Sequence, residues 1–150
     1  MSFKQLRKLP GKSLNSQEIT ESFQKLQIPV WEEIQRKNSP FIEKVYVFKS
    51  FQNTINFMQK VAYVAEQVNH HPEWDHDLTK LKIYLQTHKP IGISIKDIYL
   101  AYFIEQIYQK DLNLIDEQQS QLFEKLNQIV QDTNIDVINM AQQVQSKLEK

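Results

Sequence analysis

The chain has 150 residues, with 18 Lys plus Arg against 18 Asp plus Glu, no cysteine and two glycines. That length fits one domain, alone or with an appendage, and the charge balance gives no general attraction to nucleic acid or anionic lipid. Without cysteine there are no disulfides, thiolate metal sites or cysteine nucleophiles, and no apolar run approaches the ~20 residues of a membrane span. The basic start, Met1 to Lys8, has no apolar segment behind it, so a soluble cytoplasmic protein without a secretory signal is expected.

Residues 1–14 read as a flexible lead-in with a turn at Pro10-Gly11. Asn15, with Glu18 three residues on, has the form of a capping box opening a helix. Ile19, Phe23 and Leu26 give that helix an apolar stripe, and Pro29 stops it. Val30 to Phe48 reads as two strands, with Trp31 and Ile34 in the first, a turn at Asn38-Ser39-Pro40, and Ile42 to Phe48 as the second. Ser50 starts a long helix. Phe51, Ile55, Met58, Ala62, Ala65 and Val68 form its stripe, widened by Phe57, Val61 and Val64, and Pro72 ends it. Asp75-His76-Asp77 is a turn candidate with a solvated His76. Leu78 to Leu85 alternates as a half-buried strand, and Pro90 to Ile93 is a short irregular or edge segment. Ser94 with Asp97 opens a further helix through Ile107. Strands adjacent in pairs between helices predict α+β with an antiparallel sheet. The tail, residues 110–150, is rich in Gln, Asn and acidic residues. It carries helical stripes at Leu122, Leu126, Ile129, Val130 and at Val137, Ala141, Val144, Leu148.

Three of the four histidines lie in two short segments, Glu66-Gln67-Val68-Asn69-His70-His71-Pro72 and Gln86-Thr87-His88. Imidazole both gives and takes protons near neutral pH, so the cluster points to proton handling. Glu66, four residues before His70, would share its helix face and orient it. Two further readings stand beside this one. The pair is a polar helix end, or three histidines and Glu66 bind a zinc-like ion. Adjacent rings do not easily turn to one ion, and no histidine pair has i, i+4 spacing. Leu78 to Gln86 spans roughly 27 Å as a strand at about 3.3 Å per residue. His88 therefore returns beside His71 only if residues 72–77 run back and the chain reverses near Asp75-His76-Asp77. Otherwise another subunit completes the site. Asp97 also reads simply as the cap partner of Ser94, and Trp31 and Trp74 as packing. Two glycines leave no room for a phosphate-cradling loop.

Glu66-xxx-His70-His71-Pro72-Glu73-Trp74, Leu85-Gln86-Thr87-His88 and Gly92-Ile93-Ser94-xx-Asp97-xx-Leu100-Ala101-xx-Ile104-Glu105 together resemble the pterin-4a-carbinolamine dehydratase family. Trp31, Phe48, Phe51, Phe57-Met58 and Val61-Ala62 fit its lead-in, so the resemblance covers about Asn15 to Tyr108. It implies a four-stranded antiparallel sheet with helices on one face over 15–109, the tail being an added helical extension. The implied reaction eliminates water from 4a-hydroxytetrahydropterin to give quinonoid dihydropterin, in tetrahydrobiopterin recycling, with no metal or organic cofactor. His70 and His88 would be the acid/base pair and His71 would mainly hold the pterin. Asn69, Gln86, Thr87 and Lys89 would flank the ring, with Glu66 and Asp97 behind the imidazoles. Leu78 stands where the family usually has an aromatic residue, and Lys89-Pro90 is also less usual. The resemblance further implies a homo-oligomer. Alternative functions are a protein-binding or assembly factor on the same scaffold, with a partner on the C-terminal helices, and a metal-dependent hydrolase.

Overall fold

The computed structural model describes residues 7–9 and 11–111. The chain runs through helix α1 (Ser16–Leu26), strands β1 (Glu32–Arg36) and β2 (Ser39–Val47), and helix α2 (Phe51–Val68). Strands β3 (Glu73–Asp77), β4 (Lys80–Leu85), β5 (Thr87–His88) and β6 (Ile91–Gly92) follow, then helix α3 (Ile95–Asp111). Four strands form one antiparallel sheet in the order β1-β2-β4-β3, and β5 pairs with β6 apart from it. The fold is α+β. The expected tail helices and their stripes lie outside the described residues.

Alternation builds the core. Ile42 faces Leu85, Lys44 faces Ile83 and Tyr46 faces Leu81 across β2 and β4, so these side chains share a face. Ile42, Tyr46, Leu81, Ile83 and Leu85 join Phe23 and Leu26 of α1, Phe57, Val61 and Val64 of α2, and Ile98, Ala101 and Ile104 of α3 in one buried cluster. On the opposite face Val45 and Val47 are exposed. There the hydrogen bond from Lys37, opposed by partial burial and reinforced by Arg36, holds the Glu73 carboxyl below the usual carboxylate range. Burial, with help from Asp75, pushes the Tyr84 hydroxyl up to about 12.

Local signals act where expected at the helix starts. Asn15 and Glu18 make a reciprocal capping box on α1, and the Ser50 side chain accepts from the Asn53 amide to cap α2. Elsewhere the structure differs from the sequence expectation. The first turn is Lys37-Asn38, both at positive φ as a two-residue hairpin needs. Ser39 and Pro40 therefore belong to β2, and Trp31 precedes β1. Asp75-His76-Asp77 is not a turn. It lies in β3, where Asp75 faces Lys82 and Asp77 faces Lys80. These opposite charges across the strands offset the poor strand propensity of Asp. The reversal falls at Leu78-Thr79, with Leu78 at φ 50, so β4 begins at Lys80. His76 is not simply solvated: its ring stacks on Phe51 and its Nε2 meets the Leu78 carbonyl at 2.9 Å.

Helix α2 stops at Val68, four residues before Pro72, because Asn69 adopts the left-handed conformation at φ 51. Asn tolerates that conformation better than most residues and so ends helices readily. Its buried line is Thr54, Phe57, Val61, Val64, Ala65 and Val68. Phe51 and Ala62, placed on the expected stripe, are exposed. Helix α3 is fastened to the sheet by one buried carboxylate. Glu105 Oε1 accepts from Tyr46 Oη at 2.6 Å, Lys44 Nζ at 2.7 Å and Trp31 Nε1 at 3.1 Å. Burial and this carboxylate push the Tyr46 hydroxyl well above its ordinary range.

Candidate active site

Helix α2 delivers His70 to the N-terminus of α3. Because Asn69 has already turned the chain out of the helix, His70 does not follow the i, i+4 line from Glu66. Its amide closes on the Ala65 carbonyl at 3.0 Å, and its Nε2 lies 2.6 Å from Asp97 Oδ1. The side chain of His70 is 11% exposed and that of Asp97 is fully buried. A buried carboxylate is stable only when its lone pairs are occupied, and here they are. Asp97 Oδ2 accepts from the Ser94 amide and from Thr87 Oγ1, each at 2.8 Å. Since the Thr87 proton is used in that bond, the 2.6 Å contact between Ser94 Oγ and Thr87 Oγ1 has Ser94 as donor. Ser94 Oγ in turn accepts from the Lys96 amide at 3.2 Å. Asp97 thus closes the α3 cap with one oxygen and orients His70 with the other. A carboxylate on Nε2 assigns the ring proton there and leaves Nδ1 for a second partner.

The Glu66 carboxylate serves His71, not His70. His71 Nε2 and Glu66 Oε1 are 2.7 Å apart, with side chains 55% and 73% exposed. The two adjacent rings turn to different carboxylates. Among the described residues no three His, Cys, Asp or Glu side chains are grouped to hold a metal ion.

The second segment is anchored from inside. Gln86 is buried, and its Nε2 donates to Ser39 Oγ at 2.8 Å and to the Pro40 carbonyl at 2.7 Å. Its side chain, like that of Thr87, fixes the strand from within. Alternation in β5 then turns His88 outward. Thr87 is buried and His88 exposed, with backbone pairing to Ile91. Lys89 is exposed next to it, and Asn69 is exposed at the end of α2.

Asp97 therefore joins the chain next to His71 with the chain next to His88, through His70 on one side and Thr87 on the other. The reversal that makes this feasible is the β3–β4 hairpin, in which Glu73 pairs with Tyr84. Among the described residues His88 has no side-chain hydrogen bond to either other imidazole. Sequence reasoning saw Ser94 only as a cap and missed its place in the hydroxyl relay. It also missed Leu9, which lines a cleft with Val68, His70, Lys96, Tyr99 and Leu100. The capping pattern was visible, but its double use depends on a contact 27 residues away in sequence.

A family model described as pterin 4 alpha carbinolamine dehydratase matches residues 12–107. The chain is 38% identical over 92 residues to a pterin-4-alpha-carbinolamine dehydratase of Drosophila melanogaster, covering 61% of this chain and 47% of the fly protein. It thus spans about half the length of that relative. It is 37% identical over 79 residues to a putative pterin-4-alpha-carbinolamine dehydratase of Jannaschia sp., covering 53% of this chain and 79% of the other. A crystal structure of a transcriptional coactivator/pterin dehydratase from Brucella melitensis superposes with TM-score 0.58 at 27% identity, over 65% of this chain and 99% of that one.

Proposed function

Because this chain belongs to the pterin 4 alpha carbinolamine dehydratase family, we infer that it eliminates water from a 4a-hydroxytetrahydropterin to give the quinonoid dihydropterin. The observation that carries the mechanism is the imidazole of His70 held on the buried Asp97 at 2.6 Å. In the elimination the carbon–oxygen bond at position 4a breaks as its hydroxyl takes a proton and leaves as water. A ring N–H loses its proton, and its electron pair forms the new C=N bond. Both transfers suit imidazole at neutral pH.

His70 and His88 carry these two transfers, and His71, exposed on its Glu66 partner, holds the pterin. Asp97 keeps one nitrogen of His70 occupied, so the other meets the substrate. Thr87 and Gln86 act by fixing the strand that presents His88. Asn69 and Lys89 border the ring, where their backbone groups can meet its polar edge. The reading includes a homo-oligomer in the cytoplasm. Among the described residues no helix is long and apolar enough to cross a membrane.

Absorbance-monitored dehydration of a synthetic 4a-hydroxypterin tests the reading. His88→Ala is expected to lower kcat by about 10²- to 10⁴-fold, the usual worth of a positioned acid or base. Wild type and variant both at the spontaneous rate would rule the activity out. A protein-binding role on the same scaffold is the second reading, favoured by the Brucella relative, which is described as a coactivator as well as a dehydratase.

A further inference from the structure

The chain ahead of α1 crosses both histidine-bearing segments. Arg7 donates from Nε to the Gln67 carbonyl at 3.1 Å and from Nη2 to the Glu66 carbonyl at 3.3 Å. These carbonyls lie in the last turn of α2, where the Glu66 carbonyl also accepts from the Asn69 amide at 3.2 Å. Leu9 is 5% exposed and lines the cleft beside His70. Farther on, a Cβ at Gly11 would stand 2.8 Å from the Lys89 carbonyl oxygen and 3.5 Å from Thr87 Cγ2. The Leu14 amide donates to the Ile93 carbonyl at 2.7 Å. From the other side, a Cβ at Gly92, whose φ is +155, would stand 2.5 Å from Ser13 Oγ. The sequence has two glycines, and both sit where this segment passes the β5–β6 hairpin. At Gly11 the neighbour is backbone, which approaches that closely only where no side chain intervenes, and at Gly92 it is the Ser13 side chain, which takes the space a Cβ would fill.

We propose that residues 7–9 and 11–14 act as a strap that positions the acid/base pair. Arg7 and Leu9 hold the His70–His71 end, and Gly11 and Gly92 let the same segment lie against the strand that carries His88. Arg7, Leu9 and Gly11 precede the residues that the family model matches. The proposal rests on the dehydratase reading for its kinetic consequence and on the contacts above for its structural one.

The test uses the full chain. Histidine ring nitrogens are observed by ¹⁵N-correlated NMR, and dehydration is followed on the same samples of Gly11→Val, Arg7→Gln and Arg7→Lys. Gly11→Val is expected to shift the ring resonances of His70 and His88 and to lower kcat about tenfold, with a smaller change in KM, as misplacement of reacting groups does. Arg7→Gln should move the His70 and His71 resonances in the same manner, and Arg7→Lys should restore part of the change. Wild-type ring spectra in both Gly11→Val and Arg7→Gln would overturn the strap. If Gly11→Val does not fold, unchanged rings in Arg7→Gln alone would overturn it. If wild type itself fails to dehydrate the pterin, the activity reading falls, and the ring spectra still decide the strap.

Discussion

Asp97→Asn is expected to lower kcat by about 10²-fold or more while leaving the chain folded. The amide keeps the size of the carboxylate, and its oxygen can still accept from the Ser94 amide and Thr87, now 2.8 Å from Oδ2. What it loses is the anionic acceptor 2.6 Å from His70 Nε2. With an amide NH₂ there, the imidazole must present a lone pair at Nε2 and carry its proton on Nδ1, the reverse of the native tautomer. The loss should therefore fall mainly on kcat, with KM changed less. The check is single-turnover dehydration alongside urea unfolding. Asp97→Ala adds a stability loss, because the α3 cap and the Thr87 hydroxyl both lose their acceptor, and a lost cap alone costs about 1 kcal/mol. A kcat for Asp97→Asn equal to wild type would remove Asp97 from the mechanism and leave it as a cap.

The second large effect concerns stability. Glu105→Ala is expected to cost about 3–5 kcal/mol, because it strands two buried donors in the core and a partly buried lysine at its edge. Lys44, Tyr46 and Trp31 all converge on Glu105 Oε1, and the Glu105 side chain is 2% exposed. Glu105→Gln keeps an oxygen for part of this set and should lose less. Urea unfolding followed by tryptophan fluorescence measures both, since Trp31 reports on the same cluster. A cost below about 1 kcal/mol for Glu105→Ala would show that the cluster relaxes or hydrates without loss.

The helix starts were legible because their chemistry is local. The Asn15–Glu18 box and the Ser50 cap are written within four residues. The α+β order followed from strands adjacent in pairs. The ends of elements were less legible. Asn69 stops α2 before Pro72 can, and Asp77 continues a strand because Lys80 faces it, a fact that only the hairpin register reveals. At the site, the histidines stood out by residue type and spacing, whereas Asp97 read from spacing only as the cap partner of Ser94 and came behind the imidazoles only through the family resemblance. The exchange of carboxylate partners did not stand out, since it depends on the chain leaving the helix one residue before His70. Arg7 and Leu9 carried no motif at all. The role of Arg7 comes from contacts 59 and 60 residues away in sequence, and that of Leu9 from the cleft it lines beside His70.

A crystal structure of the full chain with a reduced pterin that lacks the 4a-hydroxyl tests the central claim most directly. The account predicts a nitrogen from each of His70, His71 and His88 at hydrogen-bonding distance from one pterin, with His70 Nε2 still on Asp97. A pterin bound elsewhere, or bound beside His70 with the His88 ring out of reach in every protomer, would contradict it.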